Sequence, residues 1–109
     1  GSDVLPDDQK LIIEIAKVIR TGFLQQNAFH KDDTFVPLEK QYKMMKVILY
    51  LYKKAKQLVS ASIPISRITN SGLFEKVIKI KYDVGNDEMD KLEGYIKDID
   101  LEIDKIIKG

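Results

Sequence analysis

Few side chains in this 109-residue sequence are of the kinds that do chemistry, and their spacing argues against most of it. Cysteine is absent and His30 is the one histidine, so disulfides, thiolate metal sites and a Ser-His-Asp arrangement lack parts. His30 stands beside Lys31, Asp32 and Asp33 in a run rich in turn formers, where a solvated or capping imidazole is expected. Carboxylates pair at Asp7/Asp8 and at Asp100/Asp104. Such pairs can hold a cation or act as acid and base, but on a helix surface they are ordinarily solvated. The six glycines are scattered at 1, 22, 72, 85, 94 and 109 and build no phosphate loop. These residues predict no catalytic group and no metal site.

The elements that must carry these residues are helical. Pro6 opens the first, with Asp7 and Asp8 suited to a helix N-terminus, and Ile12, Ile15, Ala16, Ile19 and Phe23 recur at a helical period. Gly22 weakens its end, and QQNAFHKDDTF reads as a turn-rich connection. Pro37 opens a second helix, whose expected inner stripe is Leu38, Tyr42, Met45, Leu49, Tyr52, Ala55 and Val59, with Lys40, Lys43, Lys46 and Lys53 in water. Pro64 starts a helical turn through Ile68, and Asn70 or Ser71 can cap a third helix carrying Leu73, Phe74, Val77, Ile78 and Lys81. After YDVGNDE, with Asn86 or Asp87 as the next cap, Met89, Leu92, Ile96, Ile99, Ile103 and Ile106 are spaced 3, 4, 3, 4 and 3. That is an a/d seam, too short for a free coiled coil and fit to close a bundle. The expected fold is all-α, a bundle of about four helices plus a short helical turn.

Composition agrees with one packed domain: 44% of residues are hydrophobic and 32% charged. Charge is unevenly spread. Residues 1–36 carry four basic and six acidic side chains, 37–82 ten and two, and 83–109 four and nine. A basic middle can meet nucleic acid. Without the aromatic and glycine pattern of a nucleic-acid module, the expectation is that it faces the acidic tail and that nucleic acid is no partner. No apolar run approaches the roughly 18–20 residues of a membrane span, so no direct membrane insertion is expected. The opening GSDVLPDDQK lacks the basic-then-apolar order of a signal peptide. Gly1–Ser2 reads as the remnant of a removed tag, leaving residues 3–109 as the domain. The absence of cysteine fits a reducing compartment.

Two segments carry a resemblance. DVLPDDQKLIIEIAKVIRTGFLQQNAFHKDDTF, residues 3–35, closely resembles the part of V-type and A-type ATPase catalytic A subunits that follows the nucleotide-binding domain. The run Phe23-Leu24-Gln25-Gln26-Asn27-Ala28-Phe29-His30 is its most specific stretch, and PLEKQYKMMKVILYLYKKA, residues 37–55, resembles the family's next helix. Beyond residue 60 the likeness is one of pattern.

The resemblance implies the C-terminal helical domain of a larger rotary ATPase subunit, with ATP and Mg held in the intact subunit by the preceding domain and none in these residues. It implies that Phe29 closes the adenine pocket, with Phe35 as a second candidate wall. Taken by itself, a phenylalanine on such a connection plugs the bundle top. Asp3-Val4-Leu5-Pro6-Asp7-Asp8-Gln9 is also similar to the acidic segment of F-type β subunits that pushes on the central stalk, with Val4, Pro6 and Gln9 as departures. That makes Asp3, Leu5, Asp7 and Asp8 the expected rotor contact, alongside the plainer reading that Asp7 and Asp8 complement a helix dipole. The implied partners are the nucleotide-binding domain of the same subunit, B subunits and central-stalk subunits. The implied place is the cytoplasm, peripheral to the membrane, and the implied work is coupling ATP hydrolysis or synthesis to proton or sodium transport. The alternative is a stand-alone helical module that binds protein or nucleic acid.

Overall fold

The computed structural model describes residues 4–24 and 36–109. Its first helix, α1 (Asp7–Lys17), runs directly into a π-helical segment (Val18–Leu24). The rest of the chain forms α2 (Leu38–Ser60), α3 (Ile65–Asn70), α4 (Leu73–Ile78), α5 (Ile80–Asp83) and α6 (Lys91–Lys108). No strand occurs among the described residues, so the fold is the all-α bundle expected. The helical turn after Pro64 is α3, and the expected third helix is broken at Lys79 into α4 and α5. No helix among the described residues is long and apolar enough to cross a membrane.

The three prolines do one job three times. Pro6, Pro37 and Pro64 each stand immediately before a helix in extended backbone, without a side-chain cap. Their carbonyls accept the first-turn N–H groups of Lys10 at 3.0 Å, Gln41 at 3.0 Å and Arg67 at 3.1 Å. A ring-fixed φ makes each entry sharp although the residue before the helix has no side-chain oxygen to offer. The exit of α2 is equally defined. Ser62 adopts a left-handed φ of 68°, and the N–H groups of Ser62 and Ile63 return to the carbonyls of Val59 and Leu58, each at 3.0 Å. This is a Schellman turn with serine where glycine is usual.

The caps expected further on are partly reassigned. Ser71 Oγ accepts from the Leu73 N–H at 3.3 Å, at the start of α4. Neither Asn86 nor Asp87 caps α6, which begins only at Lys91. The Asn86 side chain turns inward to Lys40.

The core runs between α2 and the helices around it. α6 buries Leu92, Ile99, Ile103 and Ile106 with Tyr95, while Ile96 and Met89 are half-buried against them; the expected seam is there. On α2 the buried residues are Lys40, Met44, Val47, Ile48, Leu51, Ala55 and Leu58. Of the expected stripe Ala55 is buried, Met45, Tyr52 and Val59 half-buried, and Leu38, Tyr42 and Leu49 stand in solvent, Leu38 80% exposed. The true face is rotated by about a third of a turn. Apolar residues ring this helix, so the elements packed around it select the face, and the selected face takes Lys40 inside with it.

α1 shows the same shift. Leu11, Ile15, Val18 and Gly22 are buried, whereas Ile12 and Ala16 are exposed. Gly22 is there for closeness: a Cβ at this position would lie 2.8 Å from the Ile78 carbonyl oxygen and 2.9 Å from its Cα. The π-helical segment thereby lies directly on the end of α4.

Candidate functional site

The acidic entry is built where α1 begins. Leu5 is half-buried and Asp8 exposed. Asp7, also half-buried, turns its Oδ2 to accept the backbone N–H of Ile65 at 3.0 Å. Ile65 is the first residue of α3, and its N–H belongs to the turn that no helical carbonyl can satisfy. A carboxylate there also complements the positive end of the helix. Asp7 therefore joins the entry of α1 to the entry of α3, while Asp8 Oδ1 accepts from the neighbouring Gln9 N–H at 3.0 Å. Asp3 lies outside the described residues.

Phe29, His30 and Phe35 lie outside the described residues too. The two ends between which they run are described. The first end is Gly22-Phe23-Leu24, of which Gly22 lies against the Ile78 backbone. The second is Val36, whose carbonyl accepts from Gln41 Nε2 at 2.9 Å, followed by the first turn of α2. From Asp7 to Leu24 the rod of α1 and the π-helical segment is about 25 Å long, so the acidic entry and the aromatic segment's first end sit at opposite ends of it.

Lys40 is a polar residue expected in water that the fold takes inside. It is 0% exposed, and its Nζ donates to the Lys81 carbonyl at 3.1 Å and to Asn86 Oδ1 at 2.9 Å. A lysine in the first turn of a helix gains nothing from the dipole, so these acceptors matter to it. The neighbouring turn is ordered by Glu88, which accepts from the Gly85 N–H at 3.1 Å and from the Lys91 ammonium. That ion pair holds Lys91 above the usual lysine range. A signal for Lys40 did exist: the stripe Met44, Val47/Ile48, Leu51, Ala55, read back one turn, lands on it.

The basic middle meets the acidic tail in part. Lys54 lies 4.0 Å from Asp100 and Lys76 lies 2.7 Å from Asp98, pairs worth about 0–1 kcal/mol each at a surface. Lys46 and Lys56 instead extend over the rings of Tyr42 and Tyr52. Tyr50 donates its hydroxyl to Asp100, and that bond, with some burial, raises its pKa above the ordinary 10.0. Burial raises Tyr95 likewise, helped by Asp83 and Asp98. Among the described residues no group of three His, Cys, Asp or Glu side chains could hold a metal.

Residues 1–69 match the family described as the C-terminal domain of V and A type ATP synthase. The V-type ATP synthase alpha chain of Halothermothrix orenii is 54% identical over 93 residues, which are 85% of this chain and 16% of that one. The V-type ATP synthase alpha chain 2 of Clostridium tetani is 53% identical over 82% of this chain and 15% of its own. The V-type ATP synthase alpha chain of a Thermoanaerobacter species is 38% identical over 100% of this chain and 18% of its own. The chain spans less than a fifth of the length of each of these relatives.

Proposed function

Because the chain belongs to the family of C-terminal domains of V and A type ATP synthases, we propose that it is the lever of a catalytic A subunit, coupling nucleotide turnover in a preceding domain to rotation of a central stalk and to proton or sodium transport. The observation that carries this is the alignment over 85% of the chain, at 54% identity, with a V-type ATP synthase alpha chain. The fold suits the task. A lever must not bend, and α1, α2 and α6 are interlocked through Leu11, Ile15, Ile48, Leu51 and Ile99 in one core.

In this reading the preceding domain binds ATP and Mg, and Phe29, with Phe35 as a second wall, closes on the adenine. An aromatic ring there contributes about 1–3 kcal/mol by stacking and is indifferent to the phosphates. Leu5 and Asp8, with Asp3, bear on the central stalk, and Asp7 stiffens that tip through Ile65. The partners are the nucleotide-binding domain of the same subunit, B subunits and central-stalk subunits, on the cytoplasmic face and peripheral to the membrane.

Steady-state kinetics of the intact complex test the assignment. Phe29→Ala is expected to raise KM for ATP by roughly tenfold while kcat at saturation changes little, because the ring contacts ground and transition states alike. An unchanged KM would return Phe29 to a packing role.

A further inference from the structure

We infer that the outer side of α2 is a docking ridge for an amphipathic helix of a partner chain, one whose apolar stripe is flanked by carboxylates. Leu38, Tyr42, Met45, Leu49 and Tyr52 follow one another at spacings of 4, 3, 4 and 3, the a/d repeat by which one helix seats another. The register continues past Lys56 to Val59, so the row is about 32 Å long. It is distinct from the row that α2 turns inward, Met44, Val47, Ile48, Leu51, Ala55 and Leu58, which packs with α1 and α6 in the core.

The outer row lacks such cover among the described residues. Tyr42 is 65% exposed and Leu49 55%, while Met45, Tyr52 and Val59 are half-buried where the row meets the core. A helix that is apolar around most of its circumference is one covered on more than one side, and here the bundle covers only the inner one.

The charges beside the row select the partner. Lys46, Lys53 and Lys56 are exposed and pair with no carboxylate among the described residues. Lys46 and Lys56 extend over the tyrosines of the row itself, 5.5 Å and 5.9 Å from the ring centres of Tyr42 and Tyr52. Tyr52, Lys53, Lys56 and Gln57 line a shallow hollow, a seat for one apolar knob with a basic rim. A second copy of this chain fits poorly. Its α2 would set lysines against lysines, and the exposed Leu101 and Ile107 of its α6 stand on different sides of that helix and form no stripe. A membrane surface would bury the whole of an amphipathic face, and here it would have to bury Lys56, which stands in the row. An acidic helix meets both conditions, since opposite charges flanking a seam set partner choice and orientation. This ridge goes beyond the lever reading and does not rest on it.

The test uses the full chain and a fluorescent three-heptad peptide with leucine at a and d and glutamate at e and g, followed by anisotropy. Saturable micromolar binding that weakens with salt is expected. Leu49→Ser, which alters only the apolar row, and Lys53→Glu, which alters only its charge, should each weaken it about tenfold with thermal melts like wild type. Leu101→Ser, on the outer side of α6, should leave it unchanged. The same peptide with lysine at e and g should bind at least about tenfold more weakly. Absence of saturable binding, equal binding of the two peptides, or indifference to Leu49→Ser would overturn the ridge. So would a dimer in sedimentation equilibrium that Leu49→Ser abolishes, which would make the occupant a second copy. Binding to phosphatidylserine vesicles that Leu49→Ser abolishes, without binding of the acidic peptide, would make it a membrane surface.

Discussion

Asp7 and Asp8 are chemically the same residue one position apart, and the fold uses them differently. Asp7 closes the entry of α3 through Ile65, whereas Asp8 faces solvent. Asp7→Ala is expected to cost about 1 kcal/mol, as the loss of a capping carboxylate does, and Asp8→Ala less than about 0.5 kcal/mol; urea unfolding of the two variants checks it. The sequence resemblance treats both as one acidic tip, because identity and spacing do not show which carboxylate has a backbone N–H within reach.

Tyr50 gives a second residue-scale test. Its pKa and that of Tyr95 are raised in the folded chain above 10.0, so folding favours their neutral forms. The stability they contribute is complete below about pH 10 and is lost as pH rises through the higher folded values. Urea midpoints measured from pH 8 to 11 should fall at the alkaline end, and should fall less in Tyr50→Phe than in wild type.

At the scale of elements, α6 was legible and α2 was not, for one physical reason. In α6 the apolar residues other than Leu101 and Ile107 form a single stripe and charges fill most of the remainder, so one face is plainly the one to go inside. In α2, Leu38, Tyr42 and Leu49 compete with Met44, Ile48 and Leu51 around the same cylinder, and the neighbours, not the helix, decide between them. Burial on α6 makes Ile99→Asp cost about 3–5 kcal/mol, since an unpaired carboxylate would enter the core. Asp104→Ala, on the surface side, should be nearly silent. Asp100→Ala falls between, at about 0.5–1.5 kcal/mol, because Asp100 accepts the Tyr50 hydroxyl and neighbours Lys54. Thermal melts that ranked Asp104→Ala with Ile99→Asp would mean the inner face of α6 is misassigned.

For the molecule as a whole, the all-α class and the order of helices followed from periodicity and from three prolines, whereas the long-range ties did not. Nothing in the sequence around Lys40 announces Asn86, and Gly22 reads as a weak point of a helix until Ile78 is seen beneath it. The expectation that the chain holds no nucleotide of its own rests on the sequence, whose six scattered glycines build no phosphate loop. Isothermal titration of the isolated chain with Mg-ATP should therefore give no binding at micromolar concentrations, and a micromolar Kd would overturn that expectation. In the intact complex, changes at Asp8 should alter coupling and leave ATP affinity alone, since Asp8 and Leu24 lie at opposite ends of the rod.

The π-helical segment has a bearing on insertions and deletions. Its i→i+5 bonds accommodate one residue more than an α-helix would take over the same rise. Deleting one residue between Val18 and Leu24 would let the rod close with ordinary helical bonds and leave α1 in nearly its present direction relative to Leu24. Deleting one residue within α1 would instead turn everything before it by about 100°, and Asp7 would swing away from Ile65. The surplus residue thus works as slack, and the π-helical stretch should tolerate the loss of a residue that α1 does not.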